Sequence, residues 1–168
     1  MIVILYDYEC SHICNIAQLI KNGVESENEV CPLMNLRNID FEKLQSANGI
    51  IFGCCAGFFS GISEKMMNFM NSTVDRFENQ NWKNKCAAGF TSNIESDATK
   101  VIDTFINFSA RQSMIWIPQG HIAENEASGT RGINKNKSYL GCISGENDTT
   151  PFFFGKRIAQ QSRRFRHV

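Results

Sequence analysis

"MIVILYDYECSHICNIAQLIKNGV", residues 1–24, changes its apolar rhythm partway along. Residues 1–6 are a continuous apolar run rich in β-branched side chains, the pattern of a strand covered on both faces in a parallel sheet. From His12 to Val24 the apolar residues Ile13, Ile16, Ala17, Leu19 and Ile20 recur at helical spacing, with Gly23 near the predicted end. A strand feeding directly into a helix places unpaired N–H groups and the positive end of the helix dipole at the junction, which suits an anion. The junction, Asp7 to Ser11, lacks the glycine that phosphate-holding loops usually carry. An ordinary turn with Ser11 as N-cap is the competing reading.

The same alternation continues downstream. "EVCPLMNL" (29–36) reads as a weaker strand whose Pro32 suits the edge of a sheet, because proline donates no ladder hydrogen bond. "ANGIIFGCC" (47–55) reads as a buried strand, followed by a loop and a helix from about 63 to 78 carrying Met66, Met67, Phe69, Met70 and Val74. "KCAAGFTS" (85–92) is a further strand, residues 97–111 a helix with Val101, Ile102, Phe105, Ile106 and Phe108 inward, and "SMIWIP" (113–118) a fifth strand. A stretch of about 30 residues rich in Gly, Asn, Ser and Lys follows, too long for an ordinary connector. Pro151 then opens a last helix with Phe153, Phe154, Ile158 and Ala159 inward. The prediction is one α/β domain spanning 1–168, an open parallel sheet of five strands with helices on both faces and right-handed crossovers.

Composition narrows the partners. Seventeen basic and seventeen acidic residues leave no net charge to favour nucleic acid or an anionic membrane. No apolar run approaches the roughly 20 residues that span a bilayer. Seven cysteines without repeated spacing, and no leader pattern ahead of the first strand, predict reduced thiols and a cytoplasmic protein.

The segments "LYDYECSHICNIAQLIKNG", "ANGIIFGCCAGFFSGISEKMMNFMNST", "WKNKCAAGFTS", "MIWIPQG" and "PFFFGKRIAQ" resemble, in order and spacing, the flavodoxin-fold FMN proteins of the NAD(P)H:quinone oxidoreductase type. That group includes the tryptophan-repressor-binding-protein-like flavoproteins. The resemblance runs over nearly the whole chain and implies a flavodoxin-like three-layer sandwich with strand order 2-1-3-4-5. In that order the ligand lies beyond the carboxyl ends of the strands, where the order reverses between strands 1 and 3. It implies FMN as cofactor, NAD(P)H as co-substrate, a quinone or similar small molecule as electron acceptor, and a homodimer or homotetramer.

By the same resemblance the FMN phosphate falls to Tyr8, Glu9, Cys10, Ser11, His12 and Ile13. The ribityl chain and ring fall to Cys54, Cys55, Ala56, Gly57, Phe58 and Phe59, and the ring's other edge to Thr91, Ser92 and Asn93. Four departures stand out. The family's first hydroxyl, loop glycine and first-turn hydroxyl are matched by Tyr8, Ser11 and Asn15, and its "TPT" or "SPT" segment by Cys54, Cys55 and Ala56. A serine at a position needing positive φ would be strained by roughly 1 kcal/mol or more, and carboxylates at Asp7 and Glu9 would weaken phosphate binding if they pointed inward.

These losses motivate the alternative of a flavodoxin-like protein that has lost FMN and serves as a binding or regulatory module. An electron-carrier flavodoxin is a third reading, disfavoured by the neutral charge. Convergence of Cys10, Cys54 and Cys55 with Cys14 and His12 would make a thiol redox or soft-metal site, against the plainer reading of cysteine as a small buried hydrophobe; no metal is predicted. His121 falls on the cleft side, no residue is assigned a catalytic role, and the basic tail Arg163, Arg164 and Arg166 reads as a solvated helix end.

Overall fold

A computed structural model of the 168-residue chain describes residues 1–56, 61–92, 97–125, 129, 131–145 and 147–165. Among the described residues there are six parallel strands and six helices. In chain order they are β1 (Ile2–Tyr6), α1 (Ser11–Glu25), β2 (Leu33–Asn35), α2 (Phe41–Ser46), β3 (Gly49–Gly53), α3 (Glu64–Asn71), α4 (Val74–Glu78), β4 (Cys86–Ser92), α5 (Ala98–Arg111), β5 (Ile115–Trp116), β6 (Cys142–Ser144) and α6 (Thr150–Phe165). The strand order is β2-β1-β3-β4-β5, the order that the flavodoxin-like resemblance implies.

Two-residue side-chain alternation explains the layers. Ile2 and Ile4 of β1, Ile51 of β3 and Ala88 and Phe90 of β4 share one core with α1 and α6. Val3 and Leu5, Ile50 and Phe52, and Ala87 join the opposite core with Leu44 of α2, Met66 and Phe69 of α3, and Phe105 of α5. Two faces of apolar side chains demand two layers of helices, hence the three-layer sandwich.

The α1 and α6 helices meet backbone to backbone. A Cβ on Gly23 would lie 1.9 Å from the Phe152 carbonyl oxygen, and one on Gly155 would lie 2.1 Å from that of Ile20. Glu27 then pins the far end of α6, bonding Arg163 Nη2 at 2.8 Å and Gln160 Nε2 at 3.1 Å. Arg163 of the basic tail is thus paired, rather than merely solvated. Arg166 lies outside the described residues.

Several boundaries differ from the sequence reading. The expected fifth strand is short, and its place along β4 is shared: β5 pairs with Cys86 and Ala87, β6 with Phe90, Thr91 and Ser92. The chain leaves the sheet edge after β5, runs through residues 117–141 and returns to complete the same edge. Buried Asn134 anchors this excursion, taking the Ser138 N–H, giving its side-chain N–H to His121 O and its backbone N–H to Thr150 Oγ1. The helix expected over 63–78 breaks into α3 and α4, because Ser72 Oγ and Thr73 Oγ1 each donate back to a carbonyl at 2.7 Å, Phe69 O and Met70 O. Met67, Val74 and Leu19, expected to face inward, are exposed.

Candidate functional site

Loops from three neighbouring strands are stitched together at the carboxyl end of the sheet. The Asp7 N–H donates to Gly53 O at 2.9 Å, joining the first loop to the end of β3. The Thr91 hydroxyl donates to Cys54 O at 2.7 Å, joining the second loop to β4. This is the place where strand order reverses between β1 and β3.

At the first loop, α1 begins at Ser11 and its N-cap is Cys10, which gives no side-chain cap bond. Asp40 and Ser63 by contrast cap α2 and α3 with their side-chain oxygens. Ser11 as N-cap is therefore corrected: it is the first helical residue, and it is absent from the non-glycine positions with positive φ. The strain expected of a serine in the glycine's place does not arise. The N–H groups of Ser11, His12 and Ile13 find no acceptor among the described residues, while the Cys14 N–H already closes the first helical bond to Cys10 O at 3.1 Å. Ile13 is fully buried. A buried backbone donor without a partner is costly, and an anionic oxygen at the helix end removes that cost, so these residues fit a phosphate monoester such as that of FMN.

The flanking side chains leave this helix end for other partners. Glu9 Oε1 accepts from Arg37 Nη2 at 2.9 Å and also pairs with Lys65 Nζ. The Arg37 guanidinium carbon lies 4.6 Å from the centroid of the Tyr8 ring, with Lys65 Nζ at 6.0 Å. Asp7 is buried, and its Oδ1 accepts the Glu9 N–H at 3.3 Å. The bulky phenol and the Glu9 carboxylate are thus engaged by cations from β2's end and α3's start. Arg37 and Lys65 escaped the sequence reading. The usable signal was topological: the residue after β2 must neighbour the loop after β1, because the two strands pair in parallel.

The second loop is split between the two faces. Cys54 is buried in the core beneath α3 and α5, whereas Cys55 packs toward α1 and α6 together with Cys10. Cys54 is thereby divided from Cys10 and Cys55, so the three-thiol convergence weighed in the sequence against plain burial does not form, since consecutive residues at a strand end point to opposite sides. Cys14 donates its thiol to Tyr8 O at 3.1 Å; burial, then the nearby Cys10, pushes that thiol's pKa up. Among the described residues, no group of three or more His, Cys, Asp or Glu side chains is placed to hold a metal ion.

Ala56 is half-buried beside the loop, and Gly57, Phe58, Phe59 and Asn93 lie outside the described residues, as does Ile94. Thr91 and Ser92 are not loop residues but the buried last two of β4. His12 lines a cleft of about 620 Å³ between α1 and the segment from β6 to α6, with Asn15, Ser144, Asn147 and Thr149. His121 lies elsewhere. Its ring packs edge-on to Phe153 with centroids 6.1 Å apart, and burial holds its imidazole below the ordinary histidine value, the ring's bond to the accepting Gln119 O opposing that and Arg157 adding to it.

Comparison with known proteins places this architecture. The chain is 28% identical to a flavodoxin of Clostridium saccharobutylicum over 168 residues, covering 95% of this chain and 96% of the relative. Among solved structures it matches a WrbA-like flavodoxin from Agrobacterium tumefaciens at a TM-score of 0.74, with 19% identity and 97% of both chains covered. The fold is flavodoxin-like. The same architecture is matched by a two-electron reduced Megasphaera elsdenii flavodoxin, at a TM-score of 0.67 and 13% identity over 95% of this chain and 99% of that one. No protein-family model matches the chain. None of the helices described is long and apolar enough to cross a membrane.

Proposed function

We propose that this protein binds FMN at the carboxyl end of its sheet and uses it to pass electrons from NAD(P)H to a quinone or similar small acceptor. The observation that carries the proposal is the row of unpartnered amides at Ser11, His12 and buried Ile13. In this reading those amides hold the phosphate. Cys54, Cys55 and Ala56, with Gly57, Phe58 and Phe59, lie along the ribityl chain and ring, and Thr91, Ser92 and Asn93 border the other edge. Because the Thr91 hydroxyl is committed to Cys54 O, its contribution is to fix the two loops in register.

Bound FMN would supply hydride acceptance and onward electron transfer, chemistry that belongs to the cofactor and asks the protein mainly to bind and orient it. The absence of an acid–base dyad from the sequence reading is consistent with that division. In this reading the protein is an oxidoreductase working in the cytoplasm as a homodimer or homotetramer, built on the scaffold it shares with a WrbA-like flavodoxin. The end-to-end likeness to a clostridial flavodoxin favours a second reading, an electron carrier serving a separate reductase.

Purified protein loaded with FMN and mixed with NADH or NADPH and benzoquinone separates these. Steady nicotinamide oxidation, abolished when FMN is omitted, is the expected result. Reversible reduction of bound flavin by dithionite without nicotinamide turnover would instead establish the carrier. A colourless protein that ignores added FMN would leave the flavin-free binding module.

A further inference from the structure

We infer that Glu9 is a resident anion competing with a phosphate monoester for the positive charge of Arg37 and Lys65, so that this cluster sets the preference for FMN over riboflavin. The inference rests on the FMN reading above.

A single Glu9 oxygen accepts from Arg37 Nη2 at 2.9 Å and pairs with Lys65 Nζ, and neither cation has a second carboxylate partner among the described residues. Arg37 and Lys65 thus share one carboxylate at the loop surface, with the Asp7 carboxylate buried behind it, so removing the Glu9 charge shifts the balance at the first loop by one unit toward positive. Two residues of chain span at most about 7 Å, so the Glu9 backbone lies within about one Debye length (8 Å) of that of Ser11. A phosphate dianion at the α1 amides feels both cations and is opposed by the Glu9 charge. All three side chains are substantially exposed, 49% for Glu9, 62% for Arg37 and 37% for Lys65, so the existing pairing is weak and readily rearranged. Arg37 and Lys65 also both lie over the Tyr8 ring, which keeps both heads at this loop. The cluster thereby supplies by charge part of what the missing loop hydroxyls supply by hydrogen bonding.

The test measures dissociation constants of FMN and riboflavin by flavin fluorescence quenching, at about 20 mM and about 500 mM salt, where the screening lengths differ several-fold. Wild type is compared with Glu9→Gln and with the Arg37→Gln/Lys65→Gln double variant, each checked for folding by circular dichroism. At low salt Glu9→Gln should tighten FMN about fivefold, and the double variant should loosen it about tenfold. Riboflavin should move less than about twofold, and high salt should erase both FMN effects. FMN affinity unchanged or weakened in Glu9→Gln, or a parallel shift in riboflavin, overturns the inference while leaving FMN binding intact. Should wild type bind no FMN, the functional reading fails; binding regained in Glu9→Gln would still support the competition, and none in either protein would overturn it.

Discussion

Cys31 sits in the core against α1, where burial, reinforced by Glu25 and Glu29 and opposed by Lys21 and the N-terminal amine, pushes its thiol pKa from the ordinary 9 up to about 12. Cys142, fully buried near Asp148, shifts in the same direction. A raised thiol pKa means that the folded state favours the neutral form. That contribution is complete below pH 9 and is lost as pH rises from 9 toward 12. Urea unfolding at several pH values from 8 to 11, in rough terms the span over which the free thiol titrates, should show stability falling with pH. Cys31→Ala should flatten that fall, leaving the share due to Cys142; an unchanged slope would contradict the assignment.

At this same scale the first loop shows what sequence can and cannot display. The loop's position was legible, because strand and helix periodicities meet at residues 7–11. The orientation of Tyr8 and Glu9 was not, since it depends on Arg37 and Lys65, 28 and 56 residues beyond Glu9 in the chain. Ser11 likewise looked like a strained substitute or a cap until the helix was found to start on it.

Between elements, the decisive contact is the crossing of α1 and α6, which closes one face of the sheet beside the candidate phosphate site. Gly23 and Gly155 permit it, and a methyl group at Gly155 would press on backbone rather than on a flexible side-chain tip. Gly155→Ala should therefore destabilise the protein by about 3 kcal/mol. For a domain of this size that is a drop in Tm of roughly 6–12 °C, measurable by scanning calorimetry. A Tm within about 2 °C of wild type would mean that the helices do not approach as described.

The main strands and long helices were readable from apolar periodicity. Short elements were not: α2 depends on the Asp40 cap over one turn, and β6 is three residues inside a polar stretch that only pairing with β4 makes a strand. The α3–α4 break was hidden for a related reason. Ser72 and Thr73 interrupt an otherwise continuous amphipathic pattern through bonds to their own backbone.

Over the whole molecule, the flavodoxin-like sheet brings three loop ends to one place and leaves unpartnered amides there, that of Ile13 buried. Much of the side-chain chemistry that the resemblance implies at that place is replaced, yet the scaffold's own donors remain. The central claim is that these donors bind the phosphate of FMN. Isothermal titration of the purified protein with FMN and with riboflavin tests it most directly, because the two ligands differ by that phosphate alone. FMN binding with a Kd of about 1 µM or tighter, and riboflavin at least about tenfold weaker, is the predicted result. Equal affinity for the two, or no heat with FMN at about 100 µM, would contradict it.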